Sequence, residues 1–266
     1  MKKTSHSIHS NRKDAVSGFT QKVHPEGIRP ATVRGVGPVP DRARTCVALH
    51  SCGGADRRTL QTVFRQLFRR FGPQHWWPGR TRLEVVIGAI LTQNTAWTNV
   101  EKAIRRLRAA RALNLPALHG ADLKTLAEWI RPAGYFNVKA RRLRAFTTLV
   151  VEDFGGDLRR LFALETSALR ARLLAVNGIG PETADSILLY AAERPVFVVD
   201  AYTRRFMSRH GWVLAHAPYD EVARAFTRHL PLEVALYNEY HALIVALGKY
   251  FCRPTPRCAE CPLRGC

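Results

Sequence analysis

Three groups of residues in this chain have types and spacings that could do chemistry. Cys252, Cys258, Cys261 and Cys266 stand within the last 15 residues as C-x5-C-x2-C-x4-C. Four thiolates spaced so closely hold either structural zinc or a [4Fe–4S] cluster, and the pattern alone leaves both open. Two further cysteines, Cys46 and Cys52, lie near the N-terminus. No secretory signal is read there, so clustered cysteines point to ligation before a disulfide framework. Asp200 follows the apolar run Pro195-Val196-Phe197-Val198-Val199. A carboxylate at the end of a buried segment is costly unless it is paired or used. It also precedes a helix opening at Ala201, where Asp is a good cap, and on the residue alone the cap is the simpler reading. The third group is Asn177-Gly178-Ile179-Gly180-Pro181. Two glycines around one apolar residue suit a tight hairpin with Ile179 pinned in the core. Pro181 suits the first position of the next helix. Backbone N–H groups at such a turn and helix start can bind a phosphate oxygen without a charged side chain.

These groups need a scaffold, and the apolar spacing is helical throughout. Leu60, Val63, Phe64, Leu67, Phe68 and Phe71 recur at i, i+3, i+4, and Gly72-Pro73 ends the run. Gln74 to Gly79 is an aromatic loop containing Trp76 and Trp77. Leu83 to Thr92 is apolar without a clear period; the helical spacing of Val100, Ala103, Ile104 and Leu107 after it favours a helix there too. Further helices are predicted over 123–130, 139–154, 167–176, 181–192, 201–210, 219–229 and 232–248. Little alternates at period two, so the fold class is all-α. The organisation expected is a six-helix lobe over 81–193 ending in the hairpin. A second lobe joins 59–80 to 194–266 and carries the cysteine loop. Residues 1–58 read as a basic, disordered extension, a solvated arm before a dedicated DNA-binding one.

The 266 residues carry 41 Lys+Arg against 21 Asp+Glu, a formal net charge of +20. Up to Arg58 there are 11 basic and 4 acidic residues, so +7 belongs to the extension and +13 to the rest. That surplus makes a polyanion the first partner to expect, nucleic acid before a membrane surface. The longest apolar run, Val85–Leu91, is far short of the ~20 residues a bilayer requires. A membrane-spanning protein is thereby disfavoured, and a cytoplasmic, nucleoid-associated monomer is expected. Lys139, Arg204 and Arg205 lie nearest the hairpin and Asp200 and are the phosphate contacts expected, together with Arg253 and Arg257 in the cysteine loop.

Over residues 59–266 the chain resembles the endonuclease III superfamily of helix-hairpin-helix DNA glycosylases. Leu91-Thr92-Gln93-Asn94-Thr95 resembles the segment whose glutamine enters the DNA stack. Gly134-Tyr135-Phe136-Asn137-Val138-Lys139-Ala140 resembles its G-x-x-N-x-K-A segment. Asn177 to Ala184 matches the hairpin, Val198-Val199-Asp200 the aspartate, and Leu247 to Cys252 the start of the cluster loop. The resemblance implies that Asp200 is catalytic, stabilising positive charge on the sugar as the base leaves. It implies that Gln93 fills the hole left by the flipped base, and that the cysteines hold [4Fe–4S] in preference to zinc. The family's usual cysteine spacing is longer by one residue in the first and last gaps. Bifunctional members carry a Schiff-base lysine where this chain has Glu182, which implies a monofunctional glycosylase. The adenine-removing branch places a glutamate where this chain has Gly88. Trp76-Trp77-Pro78 with Trp97 instead resembles the 3-methyladenine branch. A purine methylated at a ring nitrogen is cationic, its glycosidic bond is already weak, and indoles can stack on it with about 0.5–2 kcal/mol of cation–π attraction. The partner implied is double-stranded DNA with a damaged base. The rivals are an oxidised-pyrimidine glycosylase with lyase activity, a thymine or uracil mismatch glycosylase, and a DNA-binding iron–sulfur protein without chemistry.

Overall fold

The computed structural model describes residues 54–264. Most of the extension read over 1–58 therefore lies outside the described residues, as does Cys266. Its last residues are corrected: Arg57 and Arg58 already open helix α1, Arg57–Phe71. Asp56 accepts from the Thr59 N–H at 2.8 Å, satisfying a donor that every helix start leaves bare. The remaining helices are α2 Arg82–Leu91, α3 Trp97–Ala109, α4 Leu115–Gly120, α5 Leu123–Trp129, α6 Phe136–Phe154, α7 Leu158–Phe162, α8 Thr166–Leu174, α9 Pro181–Tyr190, α10 Ala201–Arg209, α11 Tyr219–Thr227 and α12 Val234–Tyr250. There is no strand among the described residues, and the chain is all-α.

Residues 81–193 contain eight helices where six were expected. The additional ones, α4 and α7, have six and five residues. Segments that short cannot display a 3.6-residue period, yet Asn114 and Asp157 cap them in the usual way. The run 83–92 showed no period because it has no solvent face: every residue from Glu84 to Leu91 is buried.

Two hydrophobic cores result. One draws on α2 to α9 and includes Ile90, Leu107, Phe146 and Leu188. The other joins α1 to α10, α11 and α12 through Leu60, Leu67, Phe197, Phe206, Tyr237 and Leu243. Helix α9 serves both: Ile187 and Leu188 face the first, Leu189 the second, and Tyr190 packs against each.

Lys139 is one of the cross-links of the first core. Its ammonium is 1% exposed and donates to the carbonyls of Leu91 and Ala133, each at 2.8 Å, and to Thr95 Oγ1 at 2.6 Å. Burial, with the charge of Arg142 nearby, pushes its pKa down to about 8. This corrects the expectation of a phosphate contact, because all three N–H donors are spent on the end of α2, the loop after it and the turn at Ala133. We predict that Lys139→Met destabilises the fold by about 2–4 kcal/mol in urea unfolding, since it strands three oxygens.

Candidate active site

A cleft of about 910 Å³ opens between the two cores. Its walls bring together Trp76, Trp77 and Trp97, the loop at Gln93, the hairpin glycines Gly178 and Gly180, and Glu182, Asp200 and Arg204. These residues span 129 positions of sequence from first to last.

Asp200 reaches the cleft at the end of an extended, buried segment, Phe197–Val199. The segment is held by the Val199 N–H, which donates to Tyr219 Oη at 3.1 Å. Asp200 also caps α10. Its Oδ1 accepts from the Thr203 N–H at 2.7 Å and from Thr203 Oγ1 at 3.0 Å. Capping occupies one oxygen and turns the other, Oδ2, away from the helix. His241 Nε2 lies 3.6 Å from that second oxygen. The capping geometry therefore leaves one carboxylate oxygen for the cleft.

Glu182 stands in the first turn of α9, also on the cleft. Its side chain is solvent-exposed at the cleft mouth. Partial burial against the cleft wall, then the negative charge of Asp200, raises its pKa to about 7; Arg204 opposes the shift.

The aromatic wall is built by edge-to-face contacts. Trp77 meets Trp97 with ring centres 5.0 Å apart and Trp76 at 5.4 Å. The indoles thus pack on one another and line the cleft at once. Gly88 makes this possible. A Cβ there would stand 3.2 Å from Trp77 Nε1 and 3.4 Å from Trp97, so a side chain on α2 would push the wall outward. Lys249 completes that side, 5.8 Å from the centre of the Trp76 ring.

The hairpin closes the opposite side. Ile179 is buried at 4% exposure, while Asn177, Gly178 and Gly180 are exposed. Gly178 has φ +84°, and a Cβ there would run into the Arg142 side chain at 2.5 Å. Arg142 bonds Gln93 Oε1. Gln93 Nε2 in turn donates to the Gly178 carbonyl and to Thr183 Oγ1, both at 2.9 Å. The glutamine expected as a wedge here ties its loop to the hairpin, with both ends of the amide occupied.

The expected phosphate contacts divide. Arg253 and Arg257 are exposed on the cysteine loop. Arg204 reaches the cleft while bonding the Ala217 carbonyl at 2.6 Å. Arg205 is corrected: its Nε donates to the Cys252 carbonyl at 2.6 Å and its guanidinium lies over Tyr202. It secures the cysteine loop to α10. Sequence reasoning did not single out Tyr190, Tyr219, His241 or Lys249. The visible signal for His241 was a lone polar residue within the buried stretch Tyr240–Gly248 of α12.

Cys252, Cys258 and Cys261 line one small pocket floored by Leu247, Phe251 and Leu263. Arg209 Nη1 approaches Cys252 Sγ at 3.4 Å, the kind of donor that stabilises a thiolate. No metal-ligand cluster of three such side chains is assembled among the described residues. The chemistry of the donor set, soft sulfur in an apolar pocket beside arginine, fits a thiolate-held group.

A helical fold with a glycine hairpin set against a carboxylate in a cleft defines a helix-hairpin-helix protein of the DNA glycosylase type. The sequence profile of the HhH-GPD superfamily of base excision DNA repair proteins matches residues 87–231. The chain belongs to that family and is a DNA N-glycosylase. It is 48% identical to a provisionally assigned DNA repair glycosylase of Methanocaldococcus jannaschii, over 77% of this chain and 94% of the relative. It is 30% identical to endonuclease III of Thermotoga maritima, over 77% of this chain and 90% of the relative. A crystal structure of an H. pylori 3-methyladenine DNA glycosylase bound to 1,N6-ethenoadenine superposes with a TM-score of 0.61 at 30% identity, covering 72% of this chain and 94% of that one. No helix among the described residues is long and apolar enough to cross a membrane.

The raised pKa of Glu182 carries a stability consequence. A carboxyl whose pKa is higher folded than unfolded stabilises the fold while protonated and loses that contribution as pH rises through the folded value. Solvent at the cleft mouth screens the effect. Glu182→Gln is therefore expected to raise the melting temperature by a few degrees at pH 8 and to leave it nearly unchanged at pH 4.5. Equal shifts at both values would show that the ionisation of Glu182 is not the cause.

Proposed function

We propose that this protein is a monofunctional glycosylase that hydrolyses the base–sugar bond of an alkylated purine flipped out of double-stranded DNA. The observation that carries the proposal is the shared cleft, where three indoles face the same volume as Asp200. A purine methylated at a ring nitrogen, seated on the indoles, presents a cationic π-system to electron-rich faces, and a neutral etheno-adenine stacks on the same faces. As the C1′–N bond breaks, the base departs with the bonding electrons and the sugar becomes positive. The free oxygen of Asp200 stabilises that charge, and water adds to C1′ with loss of its proton. Glu182 stands where a lysine would be needed for imine chemistry, and a carboxyl cannot form an imine. The likeness to a glycosylase bound to 1,N6-ethenoadenine supports a modified adenine as substrate.

The exposed hairpin and Arg204, Arg253 and Arg257 suit the phosphates flanking the flipped nucleotide, which should make binding steeply salt-dependent. Gln93 serves as the wedge in this reading only after its amide leaves the hairpin. Cys252, Cys258, Cys261 and Cys266 would hold a [4Fe–4S] cluster, with structural zinc as the alternative. Such a group supplies rigidity to the loop that bears Arg253 and Arg257. After reduction and reconstitution, elemental analysis should find iron with a visible absorbance band; zinc alone would reassign the site.

Excision is measured on duplexes carrying single defined lesions, among them 1,N6-ethenoadenine, thymine glycol and a G·T mismatch. Strand breaks at the alkylated purine should depend on added alkali, because only an abasic site is left. Asp200→Asn should slow excision by about 100-fold or more. Trp77→Ala should slow it by about 10-fold. Breaks without alkali, together with a borohydride-trapped adduct, would overturn the monofunctional reading. Excision confined to thymine glycol or the mismatch would overturn the substrate.

A further inference from the structure

Beyond the cleft surface lies a hydrogen-bonded pair that the proposed chemistry does not yet use. His241 is 4% exposed on α12. Its Nδ1 lies 2.6 Å from Tyr190 Oη on α9, a contact spanning 51 residues of sequence. Its other nitrogen, Nε2, is buried with no hydrogen-bond partner and stands 3.6 Å from Asp200 Oδ2. A buried imidazole nitrogen without a partner is expensive unless it has a task.

The proton positions follow from the surroundings. Burial lowers the pKa of His241, which Asp200 only partly offsets, so the ring is neutral and carries one N–H. Burial and the Asp200 charge push the Tyr190 phenol well up, so it keeps its proton. A carboxylate oxygen can only accept, so the imidazole N–H belongs on Nε2, facing Asp200. Nδ1 is then the acceptor, and Tyr190 Oη donates to it. The opposite tautomer would set a nitrogen lone pair against a carboxylate oxygen.

We propose that His241, oriented by Tyr190, is a positioning residue that holds Asp200 Oδ2 for the reaction. Thr203 anchors Oδ1 from α10, and His241 restrains Oδ2 from α12. The carboxylate is thus held from two helices at the wall of the cleft. The gap of 3.6 Å closes to a hydrogen bond with a small shift, as catalytic contacts tighten when substrate binds. The other titratable or charged groups on the cleft are Glu182 from α9, Tyr202 and Arg204 from α10, Tyr219 from α11, Lys249 from α12 and Arg142 from α6, and Tyr190 from α9 feels the Asp200 charge from behind. Tyr190 and His241 form the chain that ends at the second oxygen.

This inference rests on the proposed role of Asp200, so its test has one arm with activity and one without. In single-turnover excision of the lesion that the wild-type protein processes best, His241→Leu should lower the rate about 10- to 100-fold with DNA affinity unchanged. His241→Gln returns an N–H near the same place and should restore most of the rate. Tyr190→Phe should give a smaller loss. A wild-type rate in His241→Leu overturns the proposal, as does a loss of DNA affinity that Gln does not rescue. The second arm needs no substrate: imidazole nitrogen NMR should show His241 as the neutral Nε2–H tautomer at pH 7, with its Nε2 resonance displaced in Asp200→Asn. An Nδ1–H tautomer, a charged ring or an undisplaced resonance overturns the proposal even if no lesion is excised, an outcome that separately refutes the substrate reading.

Discussion

A carboxylate delivered to the seam between two hydrophobic cores must be held against its own desolvation. Asp200 arrives there because Phe197, Val198 and Val199 are buried ahead of it, so the chain has no freedom to carry the charge elsewhere. Much of the nearby structure answers that constraint. Thr203 and the start of α10 take one oxygen. Tyr219 fixes the preceding backbone, and Arg170 reinforces α9 by pairing with buried Asp185 at 2.7 Å while also reaching Asp220 beside Tyr219. The second oxygen is left to the cleft, with His241 beside it. Capping and chemistry are therefore compatible roles for this aspartate, since a carboxylate has two oxygens and the helix start needs only one.

The opposite wall obeys a steric constraint. Trp77 and Trp97 approach α2 closely where residue 88 has no side chain. A glutamate at that position would crowd both rings and displace them from this arrangement. The choice between an acid on α2 and an aromatic surface against it is thus made by one missing Cβ. Physically the two alternatives suit different bases: an acid assists a neutral leaving group, whereas an aromatic wall suits a base that is already charged.

The basic surplus is less of a DNA footprint than its size suggests. Lys139 is consumed within the first core, Arg205 and Arg209 hold the cysteine loop, and Arg170 pairs with acids. Each is a cation whose donors are already satisfied by backbone or carboxylate. Arg253 and Arg257, by contrast, are exposed on the cysteine loop. Charge counts measure net attraction at a distance, while contacts depend on which donors remain unspent.

The sequence by itself determined the helices, because apolar spacing and capping residues are local. The limits of α2, α9 and α10 fall within two residues of the predicted ones. It also determined the hairpin, the aspartate at the end of an apolar run and the exclusion of a lysine from position 182, since each is a matter of residue type at a position. Helices α4 and α7 were illegible because five or six residues cannot show a period. Only the tertiary structure decided that Lys139 and Arg205 are structural, that Gly88 seats the indole wall, and that Tyr190 and His241 meet behind Asp200. Those outcomes depend on contacts between residues far apart in the chain, and a side chain's type does not state which neighbour the packing of two cores will assign to it.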